Sequence, residues 1–267
     1  MKNKIKLQVL VSTMNQTDYS LLDKMKIKTD AIIVNQCNKN EISSFEYKNC
    51  KIKWFSLNEK GVGLSRNSAL ARGTADILLF ADDDVIYNDN YEEIVVNFFE
   101  QNPSIGMAVF NLKSLNHSRP EYNIKKNHRL RWFNCLKYGA CRIAIRRECI
   151  LHNNIWFSLL FGGGALYQAG EDNLFITDCI KANIKCMACK ENIGVVRQEY
   201  STWFSGYNKK YYQDRGCLFA ALYGKIAYVI LLLFEIKNRK ASISLIKRLK
   251  LEFSGIKQYL KIRGGKK

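Results

Sequence analysis

The chain has 267 residues, enough for one large domain or a domain with an extension. Apolar residues make up 47% and aromatics 12%, which supports a packed core and excludes a disordered chain. Lys and Arg number 42 against 24 Asp and Glu, and the resulting +18 favours an anionic partner: nucleic acid, anionic lipid or a phosphorylated substrate.

Residues 5–11 are an apolar run of strand length. Leu21, Leu22, Met25 and Ile27 fit a short helix after the turn formers Asn15, Gln16, Thr17 and Asp18. Residues 31–34 and 52–55 read as the second and third strands, 64–71 as a helix, 77–80 as the fourth strand and 91–100 as another helix. Near-continuous apolar strands alternating with helices predict a parallel sheet covered on both faces. Ligands of such sheets sit at the carboxyl ends of the strands, which places the segments after Val11, Val34 and Phe80 there.

The fourth strand closes on Asp82, Asp83 and Asp84. Adjacent carboxylates repel, and each raises the pKa of the next. A bound cation relieves this, and oxygen ligands without nearby His or Cys suit Mg²⁺ or Mn²⁺. Such an ion keeps waters and adds substrate phosphates, so a nucleotide-linked substrate is expected. The alternative is an acidic turn with three solvated side chains.

Two further foci stand out. Gly61 and Gly63 precede a helix with Arg66 one turn in, without the third glycine of a dinucleotide fingerprint and without a Walker pattern. A helix start with an arginine can complement a diphosphate; a plain glycine turn is the other reading. Gly170, Glu171 and Asp172 open a helix behind the glycine-rich Phe161, Gly162, Gly163 and Gly164, which read as a hinge. The acids are either helix caps or include a general base on a closing loop. Between these foci, 105–112 and 141–145 read as strands and 116–131 as a polar, basic, mobile loop.

The C-terminal part changes character. Residues 218–234 are strongly apolar, with Lys225 inside, and read as one buried or interfacial helix. Ile243, Ile246, Leu249, Phe253, Ile256 and Leu260 then recur at helical spacing among Lys247, Arg248, Lys250, Lys257 and Lys261. A basic amphipathic helix fits an anionic membrane surface, at about 1 kcal/mol per basic residue; an ordinary packed helix with a solvated face is the alternative. From 235 to 267 there are eleven Lys/Arg and two acids, half the excess charge of the chain. Nine cysteines, an odd number, and a leading apolar stretch too short for a secretory leader predict reduced thiols in a cytosolic compartment. Cys186 and Cys189 form a C-x-x-C without a second pair, and His117, His128 and His152 are not spaced as partners, so the pair is read as structural.

Val11-Ser12-Thr13 after the first strand, Gly61-x-Gly63-Leu64-Ser65-Arg66-Asn67 before the strand to the aspartates, and Gly170-Glu171-Asp172 beyond them together resemble a family 2 glycosyltransferase over roughly 5–205. The tail, from Ser201 through Trp203 to Tyr207 and the basic helices, resembles membrane-associated bacterial members that build capsular or other surface polysaccharides. The resemblance implies an α/β GT-A fold over 1–205, a Rossmann-like nucleotide-binding sheet with helices on both faces. A basic, helical, membrane-associating region then covers 206–267. It implies donor contacts at Thr13, Asn35, Arg66, Asp82 and Asp83, with Asp83 toward the ribose. Asp84, with Asp82, would hold Mg²⁺ or Mn²⁺. Asp172 would be the catalytic base, and Glu171 and Trp203 would lie on the acceptor side. The chain departs from the family where the second strand ends in Asn35-Gln36 rather than aspartates, and where Thr202-Trp203 replaces an Arg-Trp pair.

The implied reaction moves a sugar, with inversion, from a nucleotide-diphospho-sugar (a UDP-sugar) to a hydroxyl of a glycan or lipid-linked oligosaccharide acceptor. The implied place is the cytoplasmic face of the membrane. A nucleic-acid-binding protein is a rival, motivated by Arg129, Arg131, Trp132 and Phe133 and by Lys209, Lys210, Tyr211 and Tyr212. No signature of a nucleic-acid-binding fold supports it. A metal-dependent nucleotidyltransferase is the other, and it would release pyrophosphate instead of a nucleoside diphosphate.

Overall fold

The computed structural model describes residues 4–198, 206–237 and 244–264. Its first half sets down β1 (Leu7–Met14), α1 (Leu21–Lys24), β2 (Asp30–Gln36), β3 (Glu41–Tyr47), β4 (Cys50–Leu57), α2 (Val62–Arg72), β5 (Ile77–Asp82), β6 (Val85–Tyr87) and α3 (Tyr91–Gln101). There follow β7 (Met107–Ser114), β8 (His128–Arg129), β9 (Ile143–Arg146), α4 (Arg147–Asn153), α5 (Glu171–Lys181) and β10 (Cys186–Val196). Three helices close the chain: α6 (Lys209–Tyr223), α7 (Ala227–Lys237) and α8 (Leu245–Gly264).

One sheet runs β3-β4-β2-β1-β5-β9-β7-β10-β6, with β8 paired to β10. β4, β2, β1 and β5 are parallel neighbours. The sheet as a whole is mixed, which corrects the expectation of a parallel one: β3 is antiparallel to β4, β9 to both β5 and β7, and β6 to β10. β9 enters antiparallel between β5 and β7, so β1, β5, β7 and β10 still run the same way and their carboxyl ends share one edge.

Burial on both faces explains the apolar strands. Val9, Val11, Ala31 and Ile33 pack on one side with α3 residues Val95 and Phe99. Leu10, Ile32, Val34 and Phe80 pack on the other with Phe157, Phe175 and Ile176. Phe157 stacks on Phe175 at 4.1 Å, and Phe80 meets both rings edge-on.

The apolar stretch 218–234 is two helices, not one. Gly224 takes φ +60° between α6 and α7, a conformation that glycine adopts without strain. α6 packs on the domain through Cys217 and Leu222 against Phe161, Tyr167 and Leu174. α8 crosses α6 where two glycines meet: a Cβ on Gly216 would lie 2.0 Å from the Glu252 carbonyl oxygen, and one on Gly255 2.1 Å from that of Gln213. Arg215 bonds Glu252 and Glu235 between the three helices. Ile256, Leu249 and Phe253 are covered by this packing, so the apolar stripe of the tail helix is largely an internal contact. Ile246 stays outside, and Ile243 lies beyond the described residues.

Candidate active site

The shared edge of β1, β5, β7 and β10 opens on a cavity of about 830 Å³. It is lined by Thr13, Arg66, Asp82, Asp83, Asp84, Glu171 and Asp172 together, which draws residues from four separate stretches of sequence into one place. An open cleft of this size suits a small-molecule substrate.

At the β1 end, Thr13 Oγ1 donates to Asp83 Oδ2 at 2.6 Å and accepts from Gln16 Nε2 at 2.9 Å. Burial raises the Asp83 pKa; the Thr13 hydrogen bond opposes this and the Asp82 charge adds to it. Asn35 does not line the cavity. Its Oδ1 accepts the Gln16 N–H at 2.9 Å and its Nδ2 donates to the Gln16 carbonyl at 3.0 Å. Asn35, expected to contact the donor, is fully buried, and its amide satisfies the backbone of the adjacent loop. Gln36 reaches the cavity, while its Oε1 accepts the Gly61 N–H at 2.7 Å and fixes the entry to α2.

The start of α2 is a packed joint and not an open phosphate cradle. The Val62 N–H donates to the Gly163 carbonyl at 2.9 Å. Gly63 presses on the chain at Ser158, whose carbonyl oxygen would lie 2.4 Å from an added Cβ. Arg66, one turn on, is 5% exposed and bridges two carboxylates: Nη2 to Asp82 Oδ1 and Nη1 to Glu171 Oε1, both 2.7 Å. Burial works against its charge, but the two carboxylates outweigh it and raise the guanidinium pKa. Arg66, expected beside a diphosphate, lines the cavity with each of its two terminal nitrogens on a carboxylate.

Glu171 therefore faces Arg66, and Gly162 makes room for it, since a Cβ there would sit 2.8 Å from the carboxylate. The expected glycine hinge is a closed loop. Gly162 N donates to the Tyr167 carbonyl and Tyr167 N to the Leu160 carbonyl, both at 2.9 Å. Asp172 lies next to Glu171 at the start of α5. Its Oδ1 accepts the Asn173 N–H at 2.7 Å, and burial, with the Glu171 charge second, pushes its pKa up to about 7.

Asp84 is raised to about 6, by burial first and by Asp82 next. Its Oδ2 accepts the Gln198 N–H at 3.2 Å, and its carbonyl accepts the Arg197 N–H at 3.0 Å. A carboxylate with raised proton affinity, crowded by like charges and with an oxygen facing the cavity, suits a hard divalent ion. Among the described residues no three or more His, Cys, Asp or Glu side chains gather as a complete ligand set. By donor type, the carboxylate oxygens of Asp84 and Asp82 suit Mg²⁺ or Mn²⁺. Trp203 lies outside the described residues. Lys24, Arg119, Gln168 and Arg197 also line the cavity. Sequence reasoning missed them because no local motif marks them.

The description "Glycosyl transferase family 2" matches residues 12–149, just over half of the chain. The chain belongs to this family and is a glycosyltransferase of GT-A fold. Among solved structures it is similar to Staphylococcus aureus TarS 1–349 in complex with UDP-GlcNAc, with TM-score 0.60 and 17% identity, covering 98% of this chain and 73% of that one. The complex of the same protein with UDP gives TM-score 0.55 at 17% identity, covering 98% and 72%. The mannosyltransferase PcManGT from Pyrobaculum calidifontis, in complex with GDP-Man and Mn²⁺, gives TM-score 0.50 at 11% identity, covering 99% and 74%. No curated protein matches the chain.

Proposed function

We propose that the protein is an inverting glycosyltransferase that moves a sugar from a nucleotide-diphospho-sugar, a UDP-sugar, to a hydroxyl of a glycan or lipid-linked acceptor in surface or capsular polysaccharide synthesis. The observation that carries this reading is the meeting of Asp82, Asp83 and Asp84 with Asp172 in one cavity. The solved relatives that bind UDP-GlcNAc, UDP and GDP-Man support a nucleotide-sugar donor.

Asp172 is suited to take the proton of the acceptor hydroxyl, since a base with a pKa near 7 combines availability with driving force at neutral pH. The hydroxyl oxygen bonds to the sugar C1 as the C1–O bond to the diphosphate breaks. The nucleoside diphosphate leaves on the opposite face, and the anomeric centre inverts. A divalent ion at Asp84, when bound, supplies charge stabilisation to the departing diphosphate. Arg66 of α2 holds Asp82 and Glu171 in fixed geometry, so β5 and α5 present their acids to the cavity as one unit.

A place at the inner face of the cell membrane belongs to the same reading. Val229, Leu233 and Ile236 of α7 are exposed, and α8 exposes Lys247, Lys250, Lys257 and Lys261. Apolar side chains beside lysines suit an anionic leaflet. The stretch Lys209–Ile236 is also long and apolar enough to cross a membrane, but a third of its most apolar window is buried in the protein, which favours surface contact.

The test of the transfer reading is a panel of nucleotide-sugars with a hydroxyl acceptor, read for nucleoside diphosphate with Mn²⁺ and with chelator. Metal-dependent diphosphate release is expected with at least one donor. Release of pyrophosphate instead, or turnover indifferent to chelator, contradicts the reading.

A further inference from the structure

The end of the cavity opposite Thr13 carries two arginines that the transfer chemistry does not use. β1 lies on one side of β5, while β7 and β10 lie on the other, beyond β9. With the carboxyl ends of these strands on one edge, Thr13 marks one end of the cavity and the aspartates its middle. Arg119, in the loop after β7, and Arg197, the first residue after β10, mark the other end. Neither guanidinium has a hydrogen-bond or ion-pair partner among the described residues.

The backbone that presents them is firmly held. Arg142 is fully buried and anchors the Arg119 loop: Nη1 donates to Glu121 Oε2 at 3.2 Å and to the Tyr122 carbonyl at 2.9 Å. Its Nη2 and Nε hold Asn111 Oδ1 and the Phe110 carbonyl at 2.9 and 2.8 Å. Glu121 Oε1 in turn accepts from Gln198 Nε2 at 2.5 Å, and Asn116 Nδ2 donates to the Gln198 carbonyl at 3.0 Å. Gln198 is the neighbour of Arg197 and bonds Asp84. A buried guanidinium is tolerated only with its donors satisfied, and here that satisfaction fixes the Arg119 loop to the Arg197 segment and to the edge of the metal-fitting carboxylate. Two arginines held beside a cavity, with no guanidinium partner among the described residues, are suited to a phosphate or carboxylate, which a guanidinium fork binds bidentately.

We propose that Arg119 and Arg197 form an anion site for the acceptor, so that the acceptor glycan or its carrier bears a phosphate or carboxylate group. This rests on the reading of the cavity as a glycosyl-transfer site. The donor is placed at the other end, where Thr13 engages Asp83 and the loop of Asn15 and Gln16 lines the wall. The free volume at the β7 and β10 end is then left to the acceptor, whose anion docks on the two arginines while its hydroxyl reaches Asp172.

The test uses the full chain and two probes, glycerol 3-phosphate and UDP with Mn²⁺, titrated calorimetrically at constant ionic strength. Glycerol 3-phosphate is expected to bind the wild type with or without UDP present. Its affinity should fall roughly fivefold or more in Arg119→Ala/Arg197→Ala, which removes two charge-assisted contacts, and less in the corresponding double lysine variant, which keeps the charge. UDP with Mn²⁺ should bind wild type and the double alanine variant alike. Absence of glycerol 3-phosphate binding, or binding indifferent to the double alanine substitution, overturns the anion site. A parallel loss of UDP affinity assigns the arginines to the donor diphosphate and overturns the acceptor assignment. Wild-type protein that binds glycerol 3-phosphate but no UDP refutes the donor reading of the cavity while the two arginines still stand as an anion site. Unchanged thermal unfolding of the double variant separates loss of binding from loss of fold.

Discussion

Arg66→Met is the substitution with the largest consequence for the fold of the site. The side chain is 5% exposed, and its terminal nitrogens hold Asp82 Oδ1 and Glu171 Oε1, each at 2.7 Å. Methionine keeps most of the volume but leaves two carboxylates facing each other across the gap. Removing one partner of a buried ion pair costs about 3–5 kcal/mol, because the remaining charge stays buried and uncompensated. For a chain of this size about 2–4 °C of Tm accompanies each kcal/mol, so a fall of roughly 6–20 °C is expected. The two carboxylates differ in consequence, since the Glu171 side chain is 11% exposed and Asp82 36%. The second carboxylate gains water more readily, so most of the loss is assigned to Glu171. Adding Glu171→Gln to Arg66→Met should therefore restore part of the stability, with a coupling of about 0.5–3 kcal/mol in the cycle. Thermal unfolding at neutral pH measures the fall in Tm, and urea unfolding of the two single variants and the double variant measures the coupling. A single variant within about 1 kcal/mol of wild type, or strict additivity with Glu171→Gln, refutes the view that this arginine is the electrostatic centre of the site.

The remaining expectations concern chemistry and location. Asp172→Asn should reduce transfer by a factor of about 10²–10⁴, the usual contribution of a positioned base, while UDP binding persists; undiminished transfer clears Asp172 of that role. A base role for Asp172 requires its carboxylate form, and its pKa is raised to about 7, so wild-type kcat/KM should climb with pH through that region and level off above it. A profile flat from acid to neutral pH contradicts the assignment. Asp84→Asn should remove the Mn²⁺ dependence of UDP affinity, measured by titration with and without chelator, with unfolding unchanged or improved, since the substitution relieves a crowded carboxylate. Leu233→Glu with Val229→Glu should abolish pelleting with anionic vesicles without lowering Tm, as both side chains are exposed; continued pelleting rejects the α7 surface as the contact.

Much of this architecture is legible in the sequence, for definite physical reasons. β1, β2 and β5 are buried on both faces, so they appear as uninterrupted apolar runs. α2, α3 and α5 were readable from their periodicity. β3 was not, because it is an exposed edge strand whose Ile42 faces solvent beside Glu41 and Ser43. β10 was missed because Lys190 and Glu191 interrupt its apolar pattern just where its register with β7 slips, between Ala188 and Gly194. Asp82, Asp83, Asp84, Glu171 and Asp172 could be picked out by their local clustering. Their pairing could not: Arg66 and Glu171 are 105 residues apart, and nothing local indicates that they bond each other. The same holds for Asn35, whose amide serves a loop backbone, and for Arg119 and Arg197, which reach the cavity only through strands β7 and β10.

The helical tail bears on the site as well as on the proposed membrane contact. Gly170, immediately before Glu171 and Asp172, takes φ +112° and lies so close to α6 that an added Cβ would sit 2.5 Å from the Leu218 side chain. The Gln168 N–H donates to Asp214 Oδ2 at 3.0 Å, and Lys210 Nζ holds the same carboxylate at 2.8 Å and the Leu166 carbonyl at 2.9 Å. α6 is therefore the back wall of the loop that carries both acids. Truncation after Gly206 would remove that wall together with the exposed face of α7, so lost membrane contact and lost catalysis would arrive together and neither could be assigned. Substitutions on the outer face of α7 separate the two effects, because Val229 and Leu233 point away from the Arg215, Glu235 and Glu252 contacts that seat the helices. If those substitutions release the protein from vesicles and leave transfer intact, the tail has two independent duties: one face shapes the active-site loop and the other meets the lipid.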